Sequence, residues 1–281
     1  MTVSAEIRTP STGPDRPADS APRPSPRASA NASVWGLVWT LVRTDFKARY
    51  HGTPSGFLWA LLKPTAMFVV LVAVFSLIFR GEPNYKLNLI IGLFLWNFFA
   101  EATTVGMGSL AAKGFLVTKA RFPRWILVVT SIANALITLV VFGAVVTVYL
   151  IAMGRGPSPL AVLAFGFYIA CLATIAIGLS LGSSVLFLRF RDLNQIWDMT
   201  TQAGFFLAPI VYPLGVIPER YHFYLYLWPP TPAIEFSRAA MVAGVLPTST
   251  AHAYLALMAG GILSVGIMVF RRYAPRAAEY V

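Results

Sequence analysis

Four apolar runs, each longer than twenty residues, constrain this chain more than any other feature. They lie at 57–79, 87–111, 125–151 and 159–188. An α-helix rises about 1.5 Å per residue, so roughly 20 apolar residues cross the hydrocarbon core of a bilayer. A fifth run begins near Asn194 and is interrupted at Pro209 and Pro213; a sixth extends from about Ala251 to Phe270. Lipid offers the backbone no hydrogen-bond partner, so each crossing must satisfy its own amides as a helix. The expected fold class is all-α: a polytopic membrane helical bundle with six transmembrane helices.

Composition agrees. The chain is 57% hydrophobic and 12% charged, against about 25% charged in a soluble domain. So little charge cannot coat a sphere of this size. The formal net charge of +11 does not indicate nucleic acid, because the cations sit in short connections between apolar runs rather than along one groove. The one cysteine, Cys171, lies inside an apolar run, so neither a disulfide framework nor a cysteine metal site arises within one chain.

Residues 1–32 are polar and carry Pro10, Pro14, Pro17, Pro22, Pro24 and Pro26. They bury too little apolar area to offset the entropy of ordering. They are expected to be a disordered cytoplasmic tail with no secretory signal, leaving 33–281 as the transmembrane domain. Residues 34–49 repeat Val34, Leu37, Val38, Leu41, Val42 and Phe46 at helical spacing, with Arg43, Lys47 and Arg49 on the other face. This pattern predicts an N-terminal amphipathic interface helix lying in the headgroup plane; a soluble surface helix would read the same way.

Orientation follows from the cations. Placing the tail, the 112–124 loop, the 189–192 loop and the C-terminus in the cytoplasm puts 17 of the 22 Lys and Arg residues there. Both termini are then cytoplasmic. The segment 208–244 is proline-broken, and a short helix is expected near its end. Thr231 is the expected N-cap, Pro232 lies in the first turn and Gly244 terminates it. Re-entrant helices after the fifth span keep Arg271, Arg272 and Arg276 inside, whereas a seventh span would not.

Candidate chemistry is sparse. No lysine follows a glycine, so the Gly-Lys-Ser/Thr of a phosphate-cradling loop is missing and any ATP must bind another chain. Gly178-Leu179-Ser180-Leu181-Gly182 matches a nucleophile-elbow pattern, yet it sits inside an apolar helical run remote from His51, His222 and His252. Close helix packing through small residues explains it better. Glu101 and Asp198 lie at membrane depth, where an ionisable group suggests function. Glu101 would pair with a cation on another helix or face water; Asp198 would snorkel or pair with Arg191. The outer aromatics, Tyr212, Tyr221, Phe223, Tyr224, Tyr226 and Trp228, read as an interfacial belt or as stacking platforms for sugars. The loop 113–125, KGFLVTKARFPRW, is basic and exposes Phe115, Leu116 and Phe122. It suits a groove on a soluble partner, or alternatively a surface of anionic lipid.

Taken together, these residues resemble the membrane subunits of ABC transporters that export polysaccharides, O-antigens and teichoic acids. Arg49-Tyr50, Gly56-Phe57-Leu58-Trp59 and Lys63-Pro64 are similar to that family's entry to its first span, although Thr53-Pro54-Ser55 departs from it. Trp96-Asn97-Phe98-Phe99 with Glu101 resembles its second span, and Phe122-Pro123-Arg124 its coupling helix. Arg191-Asp192 resembles the pair before its fifth span. Pro209-Ile210-Val211-Tyr212-Pro213 and Trp228-Pro229-Pro230-Thr231-Pro232 are similar to its outer motifs, with Ala208 replacing serine and Pro229 replacing asparagine. Phe270 and Glu279 fit its terminal pattern.

The resemblance implies a homodimer in a bacterial cytoplasmic membrane, with two nucleotide-binding ATPase subunits below it. ATP–Mg would bind those subunits, and this chain would hold no cofactor or metal and catalyse nothing. It further implies ATPase coupling through Phe115, Lys119, Arg121, Phe122, Pro123 and Arg124. The implied translocation path carries Trp59, Glu101, Trp197, Tyr212, Tyr224 and Trp228. The implied cargo is a polyprenyl-pyrophosphate-linked glycan, and the Ala-, Arg- and Pro-rich tail suggests a galactan. An exporter of small lipophilic drugs is the alternative. A polyprenyl-phosphate sugar transferase would need an acid or metal cluster that the scattered acids do not form.

Overall fold

A computed structural model describes residues 26–50, 56–119, 123–152, 154 and 156–275, the side chains of 26–34, 50, 56, 57, 118 and 119 excepted. Ten helices make up the described chain: α1 Pro26–Tyr50, α2 Gly56–Phe75, α3 Tyr85–Ala112, α4 Gly114–Lys119 and α5 Trp125–Ala152, then α6 Pro159–Arg189, α7 Leu193–Leu207, α8 His222–Leu227, α9 Pro230–Arg238 and α10 Ser249–Tyr273. No strand occurs among the described residues. The chain divides into two units, 1–37 and 38–281. The first contributes only the start of α1 to the description. Of the segment expected as a tail, residues 1–25 lie outside the described residues, and α1 begins at Pro26.

Five helices are long and apolar enough to cross a membrane by length and composition: Leu58–Phe75, Tyr85–Ala112, Trp125–Ala152, Pro159–Arg189 and Ser249–Tyr273. The span expected near Asn194 is α7, which has 15 residues. It rises about 22 Å, short of the roughly 30 Å core. Pro209 removes an amide and clashes with a continuing helix, so α7 stops at Leu207. The chain then runs through 3₁₀ turns at Leu214–Val216 and Glu219–Tyr221 into the short α8 and α9.

The helix ends follow local chemistry. Ser158 caps α6, its side chain accepting from the Ala161 amide at 3.1 Å, with Pro159 in the first turn. Thr248 caps α10 in the same way. Gly244 closes a π-turn at Ala239–Ala243 with φ 68°, in the left-handed region. Thr231 departs from expectation. It lies inside the first turn of α9, the N-cap position is Pro229, and the Thr231 hydroxyl is buried with no hydrogen-bond partner.

α3 and α6 form the centre. Leu89, Phe99, Leu110, Tyr168, Leu172 and Ile175 are fully buried between them and their neighbours. Between lipid-embedded helices there is no hydrophobic drive to associate, so close backbone approach must supply dispersion instead. Gly178 of α6 meets α10 face to face: a Cβ there would lie 2.7 Å from Leu263 Cα and 2.8 Å from the Ile262 carbonyl. A Cβ on Gly266 would strike the Gly178 backbone. The small-residue reading of Gly178–Gly182 is therefore the one the structure bears out, and Ser180 is fully buried against α3 with its hydroxyl 3.4 Å from the Ala102 carbonyl.

Gly266→Ala is expected to lower the unfolding midpoint in detergent, at a cost of about 1–3 kcal/mol of overpacking. Gly260→Ala and Gly261→Ala, where a Cβ meets nothing within 4 Å, should leave it unchanged. Equal midpoints for all three variants would remove the glycine seam from the account.

Candidate functional site

The basic loop after α3 is held at both ends. Lys113 leaves α3 and its ammonium donates to Asp45 of α1 at 2.5 Å and to the Ser131 hydroxyl of α5 at 3.0 Å. At the far end, the Arg124 guanidinium donates to the Ala274 carbonyl just beyond α10. Between these clamps, α4 buries Val117 and presents Phe115, which is 68% exposed. Pro123 is exposed beside Arg124. The side chain of Lys119 and the whole of Arg121 and Phe122 lie outside the described residues. An exposed apolar ring between two fixed points is costly to leave in water.

A second polar site lies in the basic half of the bundle. Glu101 of α3 pairs with Arg49 at the end of α1. A cavity of about 400 Å³ surrounds the pair and takes in Trp59, Lys63, Asn97 and Thr104. Trp59 and Glu101, both expected along a path, thus share one cavity. Of the two fates open to Glu101, the structure brings it a cation from another helix. Asp198 is not paired with Arg191 among the described residues; it accepts from the Asn194 amide at 3.3 Å on its own helix.

The remaining expected path residues separate into three settings. Trp197 donates its indole N–H to the Thr103 hydroxyl at 3.1 Å. Trp228 packs near it in a cluster with Trp96, Phe99 and Phe205. Gly204 admits Trp228 by having no Cβ, since one would collide with the indole. Tyr212 turns back to α7, its hydroxyl donating to Phe206 and Leu207 carbonyls at 3.1 and 3.2 Å. Tyr224 stands exposed on α8.

The residue that sequence reasoning missed is Arg238. Its guanidinium is almost fully buried and donates in four directions: to the Asn88 carbonyl of α3 at 2.8 Å, to Pro209 at 2.5 Å, to Ile210 at 2.9 Å and to the Glu235 carboxylate at 2.8 Å. The Tyr85 hydroxyl adds a bond to the Val211 carbonyl at 2.7 Å. Three successive carbonyls freed by the Pro209 break are thereby satisfied. Gly92 makes the room, because a Cβ there would strike the guanidinium. Burial lowers the affinity of Arg238 for its proton, and the Glu235 carboxylate opposes that. Burial first, and Glu235 second, push the nearby Tyr226 up to about 12. The signal is in the sequence: an arginine three residues after a glutamate in an apolar segment asks for a partner, but the proline-broken pattern of 208–244 points only to re-entrant helices and not to what they pack against.

Comparison with known proteins follows the same lines. A membrane family described as ABC-2 type transporter matches residues 36–242. An O-antigen export system permease protein RfbA of Klebsiella pneumoniae is 29% identical over 244 residues, covering 84% of this chain and 91% of its own length. A protein of the same name from Myxococcus xanthus is 31% identical over 181 residues, covering 63% and 68%. The polysialic acid transport protein KpsM of Escherichia coli is 25% identical over 236 residues, covering 81% and 89%.

Arg238→Lys retains charge but loses the planar fork. It should leave the Pro209 or Ile210 carbonyl unpaired, lower stability by about 3 kcal/mol and open 208–244 to protease. Arg80→Lys, at an exposed position, serves as the control; if the two variants melt together, the buried fork is not structural.

Proposed function

Because this chain belongs to the ABC-2 type transporter family, we propose that it is the membrane-spanning half of an ATP-driven exporter of a polyprenyl-linked polysaccharide. The cargo class is O-antigen- or galactan-like, and the site of action is the bacterial cytoplasmic membrane with both termini inside. ATP hydrolysis belongs to separate nucleotide-binding subunits.

The observation that carries this reading is a pair of helices that a single chain leaves bare. Almost none of α2 is covered: Trp59, Met67, Val70 and Val74 are all exposed. α7 exposes Gln195, Met199, Gln202 and Phe206 along its length. Glutamine amides facing lipid are costly, whereas at the seam of two copies they meet partner groups or a hydrated path. Two copies joined through α2 and α7 would line that path with the six residues now dispersed, Trp59, Glu101, Trp197, Tyr212, Tyr224 and Trp228. Amides and aromatic faces suit hydroxyl-rich sugars better than a lipophilic drug, which favours a glycan over the drug-exporter alternative.

Energy would enter at the basic loop. Phe115, Lys119, Arg121, Phe122, Pro123 and Arg124 dock on the ATPase, and closure of the nucleotide-bound pair displaces α4. Lys113 and Arg124 hand that displacement to α1, α5 and α10 through the contacts described above. Neither step requires a cofactor on this chain.

The test is reconstitution with the cognate ATPase in vesicles containing lipid-linked glycan. Phe115→Glu should reduce ATP-driven export about tenfold, the effect of losing about 1.4 kcal/mol of docking, while the permease dimer keeps its elution volume. Undiminished export would remove α4 from the coupling path. A wild-type complex that hydrolyses ATP but moves no glycan would refute the cargo.

A further inference from the structure

Away from these features, α5, α6 and α10 enclose a groove of about 610 Å³. Its floor is Ile177 and Leu181 of α6, and its walls are Val129 of α5 and Leu263, Ile267 and Phe270 of α10. The glycine seam explains why it exists. Gly178 and Gly266 draw α6 and α10 together, and α5 is left standing off from α10. At one end, and only there, the lining turns basic: Arg124 and Arg271, with Trp125 beside them, and no acidic residue.

We propose that this groove binds one anionic phospholipid, its acyl chain along the apolar walls and its phosphate between Arg124 and Arg271. Length and charge both support a lipid over a peptide or a small solute. From Leu263 to Ala274 the stripe rises about 16 Å, close to half of the roughly 30 Å core, which is one leaflet. The arginines then fall at headgroup depth, at the end of the molecule where the loop cations gather. Arg124 is oriented by its bond to the Ala274 carbonyl, which uses one of five guanidinium donors and leaves others for phosphate. Arg271 is exposed on the last turn of α10. Trp125, 44% exposed, is an amphipathic ring suited to the same depth. The inference needs only that the helices cross a bilayer and is independent of the cargo.

The experiment is native mass spectrometry and thermal unfolding of the purified full-length protein in detergent, with phosphatidylglycerol or phosphatidylcholine added. Phosphatidylglycerol should be retained at least fivefold more strongly and should raise the unfolding midpoint, whereas phosphatidylcholine should not. Arg271→Gln should reduce that preference about fivefold, the effect of one cation at the surface. Ile267→Trp, which fills the groove, should abolish retention; should that variant fail to fold, the exposed Arg271→Gln still decides. Equal retention of the two lipids, or an unchanged preference in Arg271→Gln, overturns the proposal. So does displacement of phosphatidylglycerol by undecaprenyl phosphate at tenfold lower concentration, which would assign the groove to a prenyl lipid.

Discussion

A bilayer cannot hydrogen-bond to a backbone that leaves the helix, and Arg238 is this chain's answer to that constraint. Pro209 ends α7 and frees a run of carbonyls. One guanidinium collects two of them and ties them to α3, Tyr85 takes a third, and Glu235 balances the charge. The arrangement of everything after α7, from the 3₁₀ turns through α9, depends on that junction. It is a case of irregular backbone being tolerated because the protein's own donors satisfy it.

The polar anchors at the opposite end work differently. Lys113 and Arg124 are not buried forks; they are tethers, one to α1 and α5 and the other to the end of α10, that fix where a short loop begins and where it ends. Between them α4 contributes one exposed aromatic ring. The Arg238 junction immobilises a segment by saturating its carbonyls, whereas Lys113 and Arg124 fix only where the basic loop leaves the bundle and rejoins it.

Much of this was legible in the sequence because long apolar runs leave the backbone one choice. The bounds of α3, α5, α6 and α10 fall within a few residues of the runs at 87–111, 125–151, 159–188 and 251–270. Small residues at 178 and 182 announced a close helix contact. What could not be read were pairings across long separations. Arg238 lies 150 residues from Asn88, Lys113 lies 68 from Asp45, and no local pattern links either pair. Thr231 failed for a related reason: its sequence context suits a cap, but three prolines nearby moved the helix start upstream and left its hydroxyl inside. Near Asn194 the apolar pattern continues past Pro209, whereas the helix ends at Leu207. The residues assigned to a path separate into different settings for the same reason: no local pattern says which of them share a cavity.

The glycine contact between α6 and α10 also divides the molecule mechanically. Where two backbones touch without intervening side chains, neither helix can slide or roll without breaking van der Waals contact along its length. α6, α10 and the centrally buried α3 therefore form one closely packed frame. Against that frame, α2 is the crossing helix its own chain covers least.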